Sequence, residues 1–326
     1  MDARKEAANR LGNRFDVRVL EPSPPAITAG PWFADDPVAF ADGVSGLPTV
    51  SPVTGADRTW DEMASDDPDL APWCAARWLG AWGRLPDYPA DAAATRVSLH
   101  ALAEYVVAPS RYRVNGKIGL RFTRSGFGTP FFGADKQVRV EKGLLVVQED
   151  GVERRADLTT LTAAADFVDV ECYPPADVYE PATAPDIQAP LDIDPGAAEF
   201  FGEWFGFAAS VLEEFRALSP ASAACSRVQI WPEHFDMSME AGDESRGKRA
   251  TYGASPGDAH HAQPYLYVAP WAKVPAGDCW NDDHFDGACL PLDSFKDAMD
   301  QRGEALDFFR GLYRTLHEED VAPEEA

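Results

Sequence analysis

The residues with the densest potential chemistry lie in QIWPEHFDMSMEAG, Gln229 to Gly242. In an extended chain, successive side chains point to opposite faces of the sheet. That pattern predicts a strand over 234–240 with His234, Asp236, Ser238 and Glu240 on one face and Phe235, Met237 and Met239 on the other. A carboxylate near an imidazole favours the protonated ring and can fix its orientation, which suits acid–base catalysis or metal ligation. His234 and Asp236 are therefore the candidate catalytic pair, with Glu233 beside them as a binding group. The competing reading is the ordinary polar face of a half-buried antiparallel strand.

A partner for this pair lies downstream in ATYGASPGDAHHAQPYLYVAP, where a turn-rich loop through Gly257 and Asp258 leads into His260 and His261. If the loop folds beside the His234 strand, His234, Asp236, Asp258 and His261 could hold a divalent metal. Adjacent histidines point apart in extended chain, so only one of the two joins easily. Tyr252, Ser255, Tyr265 and Tyr267 add aromatic and hydroxyl groups suited to lining a ligand pocket. Ser255 in YGASPG does not match the Gly-x-Ser-x-Gly elbow of a serine nucleophile. RSGFGTPFFG lacks the lysine and following helix of a phosphate-binding loop. Cys279, His284 and Cys289 lie among Asp282, Asp283 and Asp286, but no two thiols have the spacing of a structural zinc site, so an acidic surface loop is expected there.

Regular elements must carry these groups. Apolar residues at helical spacing from Asp91 to Ala108 predict a helix ended by Pro109. Asn115-Gly116 in RYRVNGKIGLRF predicts a type I′ hairpin, with Ile118, Leu120 and Phe122 on one face. Antiparallel strands turning at Lys142-Gly143 and Asp150-Gly151 follow, then a short helix over 160–168. Asp194-Pro195 is an N-cap with a proline in the first turn, opening a helix to about Leu218 whose Phe200, Phe201, Trp204, Phe207, Val211, Leu212 and Phe215 form a broad apolar face. Strands are expected over 227–231, 234–240, 248–252 and 265–269, with helices over 293–299 and 300–316. Helix, antiparallel strands, helix thus occurs twice. The fold class is α+β, two similar halves over 91–190 and 191–316, each of antiparallel strands flanked by helices. A Pro/Trp-rich arm over 1–90, with one short helix near APWCAARWLGAW, wraps the body, and an acidic tail fills 317–326.

The chain has 326 residues with 54 acidic against 29 basic, a formal net charge of -25. Such a surface repels phosphates and anionic lipids, so neither nucleic acid nor membrane is an expected partner. The N-terminus has no apolar run of the roughly 7 to 15 residues that a signal peptide carries, and the five cysteines are scattered, so a cytoplasmic chain with reduced thiols is expected.

The segments LHALAEYVVAP, GFGTPFF, IWPEHFDMSME, ATYGASPGDAHHAQPYLYVAPW and FDGACLPLDSF together resemble an actinobacterial family of conserved hypothetical proteins. HFDMSM, PYLYVAP and LDFFRGLYRTL are more distantly similar to a larger bacterial family of unknown function. That larger family carries a longer insertion between its histidine and its phenylalanine-aspartate pair, whereas Phe235 and Asp236 follow His234 directly here. The resemblance spans about residues 91 to 316 and implies a shared α+β fold without a particular reaction. The expectation is a small-molecule-binding protein, either a metal-assisted or histidine-based acid–base enzyme or a non-catalytic interaction or structural protein.

Overall fold

The computed structural model describes residues 84–90, 92–123, 126–130, 132–133, 136–149, 152–175, 177–182 and 184–317. The expected arm over most of 1–90, the Asp150-Gly151 turn and the tail beyond 317 lie outside the described residues.

The first helical run is continuous through Pro109, contrary to expectation. It comprises α1 (Ala92–Leu102), a π-helical turn (Ala103–Val107) and α2 (Ala108–Asn115). In a regular α-helix the Pro109 ring would collide with the carbonyl of Tyr105 and offer it no N–H. The wider π turn avoids that collision by letting the Ala108 N–H reach back to the Ala103 carbonyl. The Glu104 carbonyl takes the Tyr179 hydroxyl at 3.3 Å instead. The run ends at Gly116, whose φ of 73° and N–H to the Tyr112 carbonyl make it a helix C-cap rather than a hairpin turn.

Two five-stranded antiparallel meanders follow. The first is β1 (Arg121–Thr123), β2 (Gly126–Gly128), β3 (Lys136–Glu141), β4 (Leu144–Glu149) and β5 (Val152–Asp157), paired in chain order. The β3–β4 turn at Lys142-Gly143 has φ of 51° and 77°, as a type I′ turn needs. Thr160 caps α3 (Leu161–Val168) by accepting the Ala163 N–H at 3.0 Å. Asp194 does the same for α4 (Pro195–Leu218), accepting the Ala197 N–H at 2.8 Å.

The second meander is β6 (Gln229–Trp231), β7 (Asp236–Ala241), β8 (Ala250–Ser255), β9 (Tyr265–Pro270) and β10 (Ala288–Pro291), again in chain order. β10 falls inside the stretch expected to be an acidic loop. Helices α5 (Leu292–Phe295) and α6 (Gln301–His317) are the last elements among the described residues. The halves are joined by a reciprocal backbone pair in which Leu120 and Ile230 each donate to the other's carbonyl at 2.8 Å. The fold is therefore α+β with two similar halves.

α4 packs against β1 and β2 of one half and β7 and β8 of the other, so its aromatic face spans the joint. Its Trp204, Phe205, Phe207, Val211 and Leu212 are fully buried against the inward row of Phe122, Phe127, Ile230, Met237 and Leu266. At roughly 1.5 to 3 kcal/mol per fully buried large apolar side chain, this helix anchors both meanders. The opposite face of the sheets is polar, yet Arg121, Gln137, Arg139, Gln229, Asp236, Ser238 and Ser255 are buried on it. No helix among the described residues is long and apolar enough to cross a membrane.

Candidate functional site

The turn between β6 and β7 decides where the expected catalytic pair falls. Phe235 donates its N–H to the Trp231 carbonyl at 2.7 Å and adopts a left-handed φ of 51°. That conformation costs roughly 1 to 2 kcal/mol for a residue with a side chain. Burial of the ring offsets it: Phe235 meets Phe127 and Phe205 edge-on at 5.0 and 5.2 Å and stacks on His100 at 5.5 Å. Strand geometry consequently begins only at Asp236, and His234 stands exposed within the turn. The expected alternation of His234 with Asp236 along one strand face is thereby corrected. Glu233 precedes it in the same turn, its Oε2 buried without a hydrogen-bond partner and its carboxyl pushed up by burial. The neighbouring His100 is lowered to about 4, by burial first and then by the charge of His234.

Asp236, Ser238 and Glu240 do share the polar face of β7, as their spacing predicts. Register places Ser238 opposite Gly253, Gly253 opposite Tyr267 and Tyr267 opposite Cys289. Gly253 is required by the ring that crosses it: a Cβ there would lie 2.4 Å from Tyr267 Cζ. With that space open, the Tyr267 hydroxyl reaches across β8 and donates to the Asp236 carboxylate on β7. Burial, and then the charge of Asp236, hold the Tyr267 hydroxyl well above the ordinary tyrosine range.

Tyr265, two residues earlier on the same face, donates its hydroxyl to Asp258 Oδ2 at 2.6 Å. Asp258 Oδ1 accepts the N–H groups of His260 and His261 at 2.6 and 2.8 Å, folding the loop back on itself. Burial raises the Asp258 carboxyl, but the Tyr265 hydroxyl and these two N–H groups outweigh it and leave the group below its usual range. Ser255 uses its hydroxyl to accept the Gly257 N–H at 3.1 Å, so it shapes the turn. Arg96 on α1 clamps the loop from outside, donating to the Asp258 carbonyl at 3.1 Å and the Ala262 carbonyl at 3.2 Å.

The clamped loop brings His261 beside Asp282. His261 Nε2 lies 2.8 Å from Asp282 Oδ2. Asp282 is itself fixed, its Oδ1 accepting the N–H groups of His284 and Phe285 at 2.8 and 3.3 Å. Cys289 completes the group: one ligand atom each from His261, Asp282 and Cys289 lies within 4.8 Å of the others. The Cys289 backbone is held on both sides by Asn281, through its N–H at 2.8 Å and its carbonyl at 3.1 Å. Burial, with the charges of Asp282 and Asp258, pushes the Cys289 thiol up to about 12. The Tyr265 ring packs 4.5 Å from that of His261, and Phe285 lies 6.3 Å from Tyr265 and 5.8 Å from Tyr267.

Comparison with protein-family models, curated proteins and solved structures finds no match. The site's meaning therefore rests on its geometry.

Of the residues singled out from sequence, the structure joins Asp236 to Tyr267 and joins Tyr265, Asp258 and His261 in one hydrogen-bonded and stacked group. Of the expected metal set, only His261 belongs to the group of neighbouring ligand atoms found among the described residues. Tyr252 is corrected outright. It faces the helices, with Phe215 at 4.8 Å and Phe309 at 6.2 Å, and belongs to the core. Sequence reasoning weighs Asp282 and Cys289 as part of a zinc cluster and sets them aside for an acidic loop, because no two thiols have zinc spacing; their partner is His261 instead. A usable signal was present in GACLP, a short apolar run of strand character following an aspartate-rich turn.

Proposed function

We propose that this chain is a small-molecule enzyme whose proton-handling pair is Asp236 and Tyr267, on the polar face of the second meander. The observation that carries the reading is the Tyr267 hydroxyl donating to a buried carboxylate across a glycine that leaves room for nothing else. The Ser238 hydroxyl donates to the Tyr267 oxygen, which keeps one lone pair to accept from a substrate. A substrate hydroxyl or water can give its proton to Tyr267 Oη as the tyrosine's own proton passes to Asp236 Oδ2, and reversal returns it. Tyr265 and Phe285 supply apolar walls with few rotatable bonds. The chain's net charge of -25 favours a neutral or cationic substrate over an anionic one.

The test is turnover against a panel of neutral and cationic small esters, amides and hydroxy compounds, comparing the native chain with Tyr267→Phe and Asp236→Asn. Loss of turnover by about 10²- to 10⁴-fold in both variants, with melting temperature held in Tyr267→Phe, is the expected result. A substrate turned over equally well by Tyr267→Phe would overturn the assignment.

A further inference from the structure

A second feature of the same face is independent of that pair. The geometry points to a binding site for a zinc-class divalent metal, with His261 Nε2, a carboxylate oxygen of Asp282 and Cys289 Sγ as its ligands.

Bond lengths to zinc are about 2.0 Å for imidazole nitrogen and carboxylate oxygen and 2.3 Å for thiolate, so tetrahedral ligands stand roughly 3.3 to 3.7 Å apart. The three atoms here already lie within 4.8 Å of one another. His261 Nε2 and Asp282 Oδ2, at 2.8 Å, are closer than that because they face each other as a hydrogen-bonded pair. A metal would take the place of the shared proton and open the pair by well under 1 Å. Rotation of the cysteine side chain supplies the remaining adjustment.

The surroundings match what a metal-bound histidine requires. His261 Nδ1 is buried with no hydrogen-bond partner, and Asp258 Oδ1 stands 3.7 Å away. With Nε2 on a metal, the ring proton must reside on Nδ1, where it faces that carboxylate. A closure of well under 1 Å from the present 3.7 Å would complete the carboxylate–histidine–metal arrangement that fixes tautomer and ring orientation. Asp282 is oriented by two backbone N–H groups and Cys289 by the paired bonds to Asn281. Asp258, Asp282 and Asn281 therefore position the site, while three side chains ligate.

Ligand chemistry sets the metal class. Thiolate with imidazole selects zinc and its neighbours, whereas magnesium and calcium prefer oxygen ligands throughout. The thiol gives up its proton on binding, and thiolate plus carboxylate balance the charge of a divalent ion. Three protein ligands leave a fourth position for water or substrate, the pattern of catalytic rather than structural zinc.

The experiment uses the full chain stripped with chelator and titrated with Zn²⁺ by calorimetry and with Co²⁺ by absorption. Stoichiometric Zn²⁺ binding and a thiolate-to-cobalt charge-transfer band are expected. The band should vanish in Cys289→Ser and persist in Cys279→Ser, whose thiol is exposed. His261→Gln, on an edge loop, gives the same reading if Cys289→Ser misfolds. Asp258→Asn should weaken Zn²⁺ binding roughly 10- to 100-fold while leaving the band's shape. Absence of saturable Zn²⁺ binding, or a cobalt band that survives Cys289→Ser, would overturn the site. Tyr267→Phe should leave the metal titration unchanged, so failure of the tyrosine–aspartate pair and failure of the metal site are read separately.

Discussion

Glu240 is the carboxylate whose environment most sharply couples folding to pH. It sits on the polar face of β7, 8% exposed, with the Thr251 hydroxyl donating at 2.9 Å to Oε1. Burial raises its carboxyl from 4.5 to about 7, against the opposing pull of the Thr251 bond and the Arg249 charge. The folded state therefore binds this proton more tightly than the unfolded chain does. Stability from Glu240 is fully present below about pH 4.5 and declines as pH rises towards 7, where the folded group also ionises. At about 1.4 kcal/mol per pH unit, the loss across that interval is about 3 kcal/mol. Glu240→Gln keeps the shape and an oxygen for Thr251 but removes the ionisation. Urea unfolding of both proteins at pH 4.5, 5.5, 6.5 and 8 should show the glutamine variant gaining on the native chain by about 3 kcal/mol and then levelling off. Using the difference cancels other titrating groups. A difference that stays flat with pH, or that turns against the glutamine variant at pH 8, would refute the reasoning.

Three further outcomes follow from packing and capping. Gly253→Ala places a methyl in the Tyr267 ring and should cost about 1 to 3 kcal/mol in urea unfolding. Phe235→Ala empties the pocket between Phe127, Phe205 and His100 and should cost about 3 to 5 kcal/mol, partly relieved if alanine lets the turn leave its left-handed conformation. Asp194→Ala removes the cap of the central helix and should lower stability by about 1 kcal/mol without altering Zn²⁺ affinity, measurable by paired melting and calorimetry.

Much of this architecture was legible because local chemistry and tertiary packing agree. Asp194-Pro195 opens a helix, Thr160 caps one, and Lys142-Gly143 turns a hairpin, each for reasons contained within a few residues. The misreadings arose where one local signal serves two structures. Asn115-Gly116 offers the same left-handed glycine to a hairpin and to a helix end, and only the helix behind it decides. Pro109 reads as a stop, yet a π turn absorbs it. His234 looks extended until burial of the Phe235 ring forces the chain through a left-handed residue. Tyr265 and Tyr267 could be assigned to a polar face by alternation, but their partners could not, since Asp258 reaches Tyr265 only through the folding of its loop and Asp236 lies across β8 from Tyr267. Cys289 meets His261 through the closure of two loops, a contact that spacing in the chain does not encode.

The reciprocal pair of Leu120, just before β1, and Ile230, within β6, sets the first-strand edges of the two halves against each other, as edge strands meet in a two-fold dimer, but here within one chain. Such a joint is indifferent to what each half carries at its far strands. One half has accordingly filled its polar face with a self-satisfied lattice in which Arg139 binds Glu141, Glu153, Gln137 and Gln148. The other has left tyrosines, carboxylates, an imidazole and a thiol to face one another. Two similar halves thus carry unlike polar faces, one an internally paired ionic lattice and the other the groups on which the proposed chemistry rests.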